Sequence, residues 1–241
     1  MAYIGGKSKK YKHIIKFLNN PFFDDFDYLE PFCGYCHILN KITNKKKLVI
    51  SDNNSLLITL LTFIKSNINY PIINDITEYK ALKKERKNNI KTALAAFTYS
   101  YNGKEFGGFT DIVGNRNYSE ERKRYYKKLY SNSSFQRAEI LEKNYTEYSP
   151  KNTLIYCDPP YSNTQAYGNN VFDTLIFWEI MRKWSKNNFV FISEYNAPPD
   201  FIEVSSATKY MSMSGKGSTD LRIEKLFTYK DTDLSKLQHE I

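Results

Sequence analysis

The sequence predicts a doubly wound α/β fold, and three stretches carry that expectation. "DYLEPFCGY" reads as a short strand running into a tight Pro/Gly turn, "KKKLVISD" as a buried strand closing on Asp52, and "NTLIYCDPPY" as an apolar strand running into two prolines. The first two give the order strand, turn, helix, strand, acid, helix. The acid lies about 20 residues beyond the glycine turn, the arrangement by which doubly wound proteins hold an adenosyl nucleotide. Such a turn lets backbone approach the ligand, and the carboxylate accepts hydrogen bonds from ribose hydroxyls. Gly34 is one glycine where the dinucleotide fingerprint has three, and a plain strand-to-helix turn is the simpler alternative.

The other elements follow from periodicity. "KSKKYKHIIKFLN" places Ile14, Ile15 and Leu18 on one helical face, and a helix is expected from about Tyr35. "NNSLLITLLTFIK" opens with capping residues and continues as an apolar helix. "FDTLIFWEIMRKW" sets Phe172, Leu175, Ile176, Ile180, Met181 and Trp184 at helical spacing, which reads as core packing. "NNFVFISEYN" is the next buried strand, and "MSMSGKGSTDLRIEKLFTY" a glycine loop before a final strand.

Lys and Arg outnumber Asp and Glu by 35 to 26, for a net charge of +9 and an isoelectric point near 9.2, which suits a polyanionic partner. No run approaches the roughly 18 apolar residues of a membrane span, and the first residues carry charge without an apolar signal region. A cytoplasmic protein is expected, and its richness in Lys, Asn, Ile and Tyr fits an AT-rich bacterial, phage or viral genome.

Cys33-Gly34-Tyr35-Cys36-His37 has the spacing of a haem attachment site or a redox thiol pair. Covalent haem belongs to exported proteins, and a zinc site needs four ligands where only Cys157, His13 and His239 remain to join the run. No metal is expected. A thioredoxin-like pair also sits between a strand and a helix, so the thiol reading stays open on the motif alone.

Asp158-Pro159-Pro160-Tyr161 is the most specific signal. Two prolines surrender their backbone donors and stiffen the chain, leaving the Pro159 carbonyl and the Asp158 carboxylate as fixed outward acceptors. Tyr161 adds a flat face. Two acceptors beside an aromatic platform suit an exocyclic amino group on a planar base, whose protons they accept while the ring stacks.

These residues resemble a known family, the Dam-type DNA adenine methyltransferases with an Asp-Pro-Pro-Tyr motif. The likeness covers nearly the whole chain, in the family's order: "YIGGKSK", "EPFCGYCHI", "VISDNN", "FTYSYNG" and "YCDPPY". It implies a Rossmann-like S-adenosylmethionine-dependent methyltransferase fold with a small, mainly helical target-recognition insert. It also implies that Tyr3, Lys7, Glu30, Phe32, Gly34, Asp52 and Asp158 surround S-adenosylmethionine, and that Asp158, Pro159, Pro160 and Tyr161 are catalytic. Cys33 and Cys36 then become loop residues, with Cys36 where the family more often has glycine, a side chain at a close-approach position. Methylation of a cytosine ring carbon needs a cysteine nucleophile, usually after a proline; Cys157 precedes the prolines, and an amine needs no covalent intermediate.

The stretch from Phe32 to Asp158 exceeds what a minimal methyltransferase needs by about 40 to 50 residues. The expected division is 1–101 with 149–241 as catalytic domain and 102–148 as recognition insert. In that insert "NGKEFGGFTDIVGNRNY" is a glycine-rich loop, and "SEERKRYYKKLYSNSSF" a basic helix capped by Ser119 with tyrosines interleaved. By family position Lys104, Arg116, Asn117 and Arg124 are the expected DNA contacts. "KALKKERKNNIK" reads as an exposed helix, and "SNTQAYGNN" as a loop able to close over the target base.

The leading function is transfer of methyl from S-adenosylmethionine to the 6-amino group of adenine in double-stranded DNA, with the base flipped from the stack. Methylation of an RNA amino group and a non-catalytic nucleic-acid-binding protein are the alternatives. A separate cognate restriction endonuclease acting on the same site, and a monomer or weak dimer, complete the expectation.

Overall fold

Continuous apolar runs become strands here because parallel strands are covered on both faces, so both sets of alternating side chains must be apolar. The computed structural model describes residues 11–160, 172–212 and 219–237. In chain order the elements are α1 (Lys12–Leu18), β1 (Asp27–Glu30), β2 (Leu48–Asp52), α2 (Ser55–Ser66), α3 (Ile76–Glu85), α4 (Ile90–Phe97), β3 (Ile112–Val113), β4 (Arg116–Asn117), α5 (Tyr118–Tyr130), α6 (Ser133–Arg137), β5 (Glu139–Glu142), β6 (Thr153–Cys157), α7 (Thr174–Ser185), β7 (Phe189–Glu194), β8 (Phe201–Ser212) and β9 (Thr219–Tyr229). Seven of these strands belong to one mostly parallel sheet, and β3 with β4 form a separate two-stranded hairpin. The α/β class expected from the sequence is the class observed.

The chain divides into two compact units, one containing Cys33–Lys41 and Val49–Tyr145, the other Lys10–Phe32, Ile42–Leu48 and Thr146–Ile241. In the second unit β1 pairs in parallel with β6 and β6 with β7, while β9 runs antiparallel to β7 and β8 antiparallel to β9. All five residues of β6 are buried, as an interior strand requires. Under it Phe23 packs edge-on to Phe26 and Phe189 with ring centroids 5.3 and 5.0 Å apart, and Phe17 lies 5.8 Å from Phe191. Each such ring withdrawn from water contributes about 1.5–3 kcal/mol.

In the first unit β2 pairs in parallel with β5. Its helices start where Asn or Asp side chains accept backbone N–H groups: Asn54 from Leu57, Asp75 from Thr77 and Glu78, Asn89 from Thr92, and Asn117 from Glu120. Ser119, expected as the cap of α5, instead lies inside its first turn and donates to Asp111 Oδ1 and Asn117 Oδ1. Within 102–148, β5 is a strand of the main sheet, and α5, α6, the β3–β4 hairpin and a 3₁₀ turn at Tyr145–Glu147 stand outside it.

Two further expectations are corrected. No α-helix follows the Gly34 turn; the chain makes one 3₁₀ turn over Leu39–Lys41, because Cys36 (φ 57°) and Asn44 (φ 53°) take left-handed conformations that a helix excludes. On α7 the buried stripe is Phe177, Trp178, Met181 and Trp184, whereas Leu175 and Ile176 are 79% and 46% exposed. Asp173, accepting from the N–H groups of Leu175 and Ile176, sets the helix start and thereby the face.

Candidate functional site

Candidate residues gather in each unit at strand ends. In the first, β2 delivers Asp52 to its carboxyl end, half-buried. Asp52 Oδ2 accepts from Gly34 N–H at 3.3 Å and Oδ1 from Asn54 N–H at 3.0 Å. The turn itself is closed by Cys36 N–H to Cys33 O at 2.7 Å and tied to β2 by Cys33 N–H to Ser51 O at 2.9 Å. Gly34 at φ 46° occupies the first central position, where a residue with a Cβ is strained. Burial pushes the Asp52 carboxyl up to about 6, against the backbone N–H groups of Asn54, Gly34 and Asn53, which favour its ionised form. A carboxylate held by main-chain donors next to a bare glycine backbone fits a ribose with its adjoining adenosyl group.

The same unit carries the four expected DNA contacts. Lys104 and Arg124 are exposed. Arg116 forms a two-pronged ion pair with Glu121 at 2.6 and 2.7 Å and lies 4.4 Å over the Tyr118 ring. Asn117 caps α5, so its Oδ1 is engaged by Glu120 N–H. Arg122, in the middle of the basic helix, is buried and donates to Thr98 O at 2.5 Å; it is structural. The outward basic side chains of α5 are Arg124, Lys127 and Lys128. Ile112 and Val113, in the β3–β4 hairpin, are 67% and 60% exposed.

In the second unit β1 and β6 are parallel neighbours, with Leu29 opposite Ile155, so Glu30 and Asp158 lie at the same carboxyl edge. Ligands of open α/β sheets bind at that edge. Glu30 is buried and accepts from Tyr28 Oη at 2.8 Å. Phe32 sits with its ring 6.0 Å from Phe172 and 5.9 Å from Phe177. Asp158 is half-buried, Pro159 buried and Pro160 exposed. Cys157 is fully buried with its Sγ 3.6 Å from Met181 Sδ; burial first, then the charges of Asp158 and Glu30, push its thiol well above the usual range. A thiol buried in this way is a poor candidate for a nucleophile. Tyr3, Lys7 and Tyr161, and the "SNTQAYGNN" loop, lie outside the described residues.

Sequence reasoning missed Glu194. Buried at the end of β7, it lines a pocket with Pro159, Pro160, Phe172, Trp178 and Asn196. The signal was present: "FVFISE" ends an apolar strand on an acid, as do Glu30, Asp52 and Asp158. Among the described residues no cluster of His, Cys, Asp and Glu could hold a metal ion, and no helix is long and apolar enough to cross a membrane.

The fold is an α/β sheet, mostly parallel, with Asp52 and Asp158-Pro159-Pro160 at the carboxyl ends of buried strands. Residues 3–191 match the model of the D12 class N6 adenine-specific DNA methyltransferase family, and the chain belongs to that family. It is an adenine-specific methyltransferase using S-adenosylmethionine, and its substrate is DNA. No curated protein matches the sequence. Among solved structures, the chain resembles the rRNA methyltransferase aviRa from Streptomyces viridochromogenes, at 8% identity and TM-score 0.35, covering 89% of this chain and 78% of that one. An rRNA methylase from Streptococcus thermophilus matches at 7% identity and TM-score 0.38, over 92% and 97% of the two chains. Precorrin-6y C5,15-methyltransferase from Geobacter metallireducens matches at 7% identity and TM-score 0.36, over 91% and 90%. Likenesses of this size support no inference about activity.

Proposed function

We propose that this enzyme flips an adenine out of duplex DNA and methylates its exocyclic 6-amino group in one direct displacement. The observation that carries the reading is the exit of buried strand β6 into Asp158-Pro159-Pro160, with Cys157 beside it fully buried. The Pro159 carbonyl and the Asp158 carboxylate accept the two amino protons, which turns the nitrogen lone pair away from them, and Tyr161 stacks on the base. When bound, S-adenosylmethionine would supply an electrophilic methyl on a sulfonium that leaves as neutral S-adenosylhomocysteine without an acid, and the proton shed by the methylated nitrogen would pass to the Asp158 carboxylate that accepts it and on to solvent. Fixing and desolvating the amine is therefore the protein's main task, and no covalent enzyme intermediate is involved.

Gly34 and Asp52 hold the adenosyl group in this reading, with Glu30, Phe32, Tyr3 and Lys7 completing the cofactor's surroundings. Residues 102–148 are the recognition segment, less the sheet strand β5, and Lys104, Arg116, Asn117 and Arg124 meet DNA there. The exposed positive face of α5 supports that assignment, since phosphate contacts account for most of the affinity of such surfaces. Arg116 must exchange Glu121 for a phosphate or base edge to take part. A separate cognate restriction endonuclease acting on the same site, and action as a monomer or weak dimer, belong to the same proposal.

The test is Asp158→Ala assayed with methyl-labelled S-adenosylmethionine on unmethylated duplex DNA. Transfer is expected to fall by at least about 100-fold, the scale of losing a charged group that orients the reacting atom, while the variant keeps the wild-type melting temperature. Undiminished transfer by the folded variant would contradict the assignment.

A further inference from the structure

The hydroxyl of Tyr125, in the middle of the basic helix α5, points back into its own unit and donates to the backbone carbonyl of Tyr35 at 2.7 Å. The same oxygen accepts from Asn40 Nδ2 at 3.1 Å, and its ring packs against His37 with centroids 4.9 Å apart. Asn132, just beyond α5, donates to Asn40 O at 3.0 Å. Tyr35 Oη in turn donates to Gly103 O at 3.4 Å, at the start of the recognition segment. Tyr35 is a central residue of the Cys33–Cys36 turn whose other central residue, Gly34, donates to Asp52. The turn is thus held on one side by β2 and on the other by the recognition helix.

The helix is itself fixed to the body of its unit. Arg122 donates to Thr98 O, and Tyr126 Oη shares a hydrogen bond with Thr98 Oγ1 at 3.0 Å, both buried. One face of α5 is therefore locked inward while Arg124, Lys127 and Lys128 point outward.

We infer that Tyr125 is a positioning residue that couples the recognition helix to the cofactor turn, so that DNA and cofactor each bind more tightly in the other's presence. The inference rests on the two assignments above, the turn as cofactor loop and α5 as DNA-facing. Linkage requires the coupling to be reciprocal. Tyr125→Phe removes the hydroxyl and keeps the ring against His37.

The experiment measures the dissociation constant of S-adenosylhomocysteine by equilibrium dialysis, with and without unmethylated duplex DNA long enough to hold every short target sequence. The wild type is expected to bind at least about 5-fold more tightly with DNA present, the lower end of ordinary allosteric coupling. In Tyr125→Phe that ratio is expected to approach one, the Michaelis constant for S-adenosylmethionine to rise, and kcat to change little, with the wild-type melting profile retained. A wild-type ratio of one, or a ratio unchanged in Tyr125→Phe, overturns the coupling while leaving the cofactor loop in place. Absence of S-adenosylhomocysteine binding to the wild type overturns the loop assignment and the coupling with it. Should Tyr125→Phe fold poorly, Tyr125→Met, which also removes the hydroxyl that donates to the Tyr35 carbonyl, is expected to lower the ratio in the same direction, and an unchanged ratio there overturns the coupling equally.

Discussion

With Asp52 in the cofactor site, as proposed, cofactor affinity depends on pH. Its carboxyl is pushed up to about 6 by burial, and only the ionised form offers both oxygens as acceptors to ribose hydroxyls. Lowering the pH through 6 protonates it in the free enzyme. The affinity for S-adenosylhomocysteine is expected to fall about 10-fold between pH 7 and pH 5, the drop in ionised fraction for a group of that pKa. Calorimetric titration across that range checks it, and a flat profile would separate Asp52 from the ligand. Cys36 is the second residue whose setting decides its role. It is buried at φ 57°, where thiol reactivity has no outlet and a β-branched side chain clashes with its own backbone. Cys36→Ser is expected to keep methyl transfer. Cys36→Val is expected to lower the stability in chemical denaturation, through the added crowding of a β-branched side chain at positive φ. Loss of activity in Cys36→Ser with the fold intact would reopen the redox reading of the motif.

At the scale of elements, the proposed DNA-binding surface rests on α5. Arg124, Lys127 and Lys128 are exposed, whereas Arg122 is consumed by Thr98. Replacing the three exposed residues with Gln is expected to flatten the dependence of log K for DNA on log salt by about 0.9 for each phosphate no longer neutralised, while S-adenosylhomocysteine binding without DNA stays near wild type. An unchanged slope, measured by fluorescence anisotropy over a salt series, would move the DNA-binding surface off this helix. The elements themselves were unevenly legible. β1, β2, β6 and β7 were readable because interior parallel strands are apolar on both faces and end on acids or prolines. The helix expected after Gly34 was not, because a left-handed Cys36 is a backbone fact with no side-chain signature. On α7 the apolar residues nearly encircle the helix, so spacing alone did not choose Phe177 and Trp178 over Leu175 and Ile176. Strand β8 escaped notice because "FIEVSSATKYMS" is rich in Ser, Thr and charge, as suits a strand that among the described residues lies at the sheet edge beside β9.

For the whole molecule, family membership joins the net charge of +9 to one substrate, DNA, and one cofactor. The places of the candidate residues were legible where chemistry constrains residue type: Asp158-Pro159-Pro160 and Asp52 lie at the ends of buried strands, as the sequence indicated. Glu194 and Tyr125 were not legible, since one needs the sheet order and the other a contact between residues far apart in the chain. The most direct test of the central claim is nucleoside mass spectrometry after the purified protein has been incubated with S-adenosylmethionine and unmethylated duplex DNA, with structured RNA in a parallel reaction. Methylation of the adenine 6-amino group in the DNA, with unmodified RNA, is the expected result. Methylated RNA with unmodified DNA, or methyl on a ring atom rather than the exocyclic amine, would contradict it.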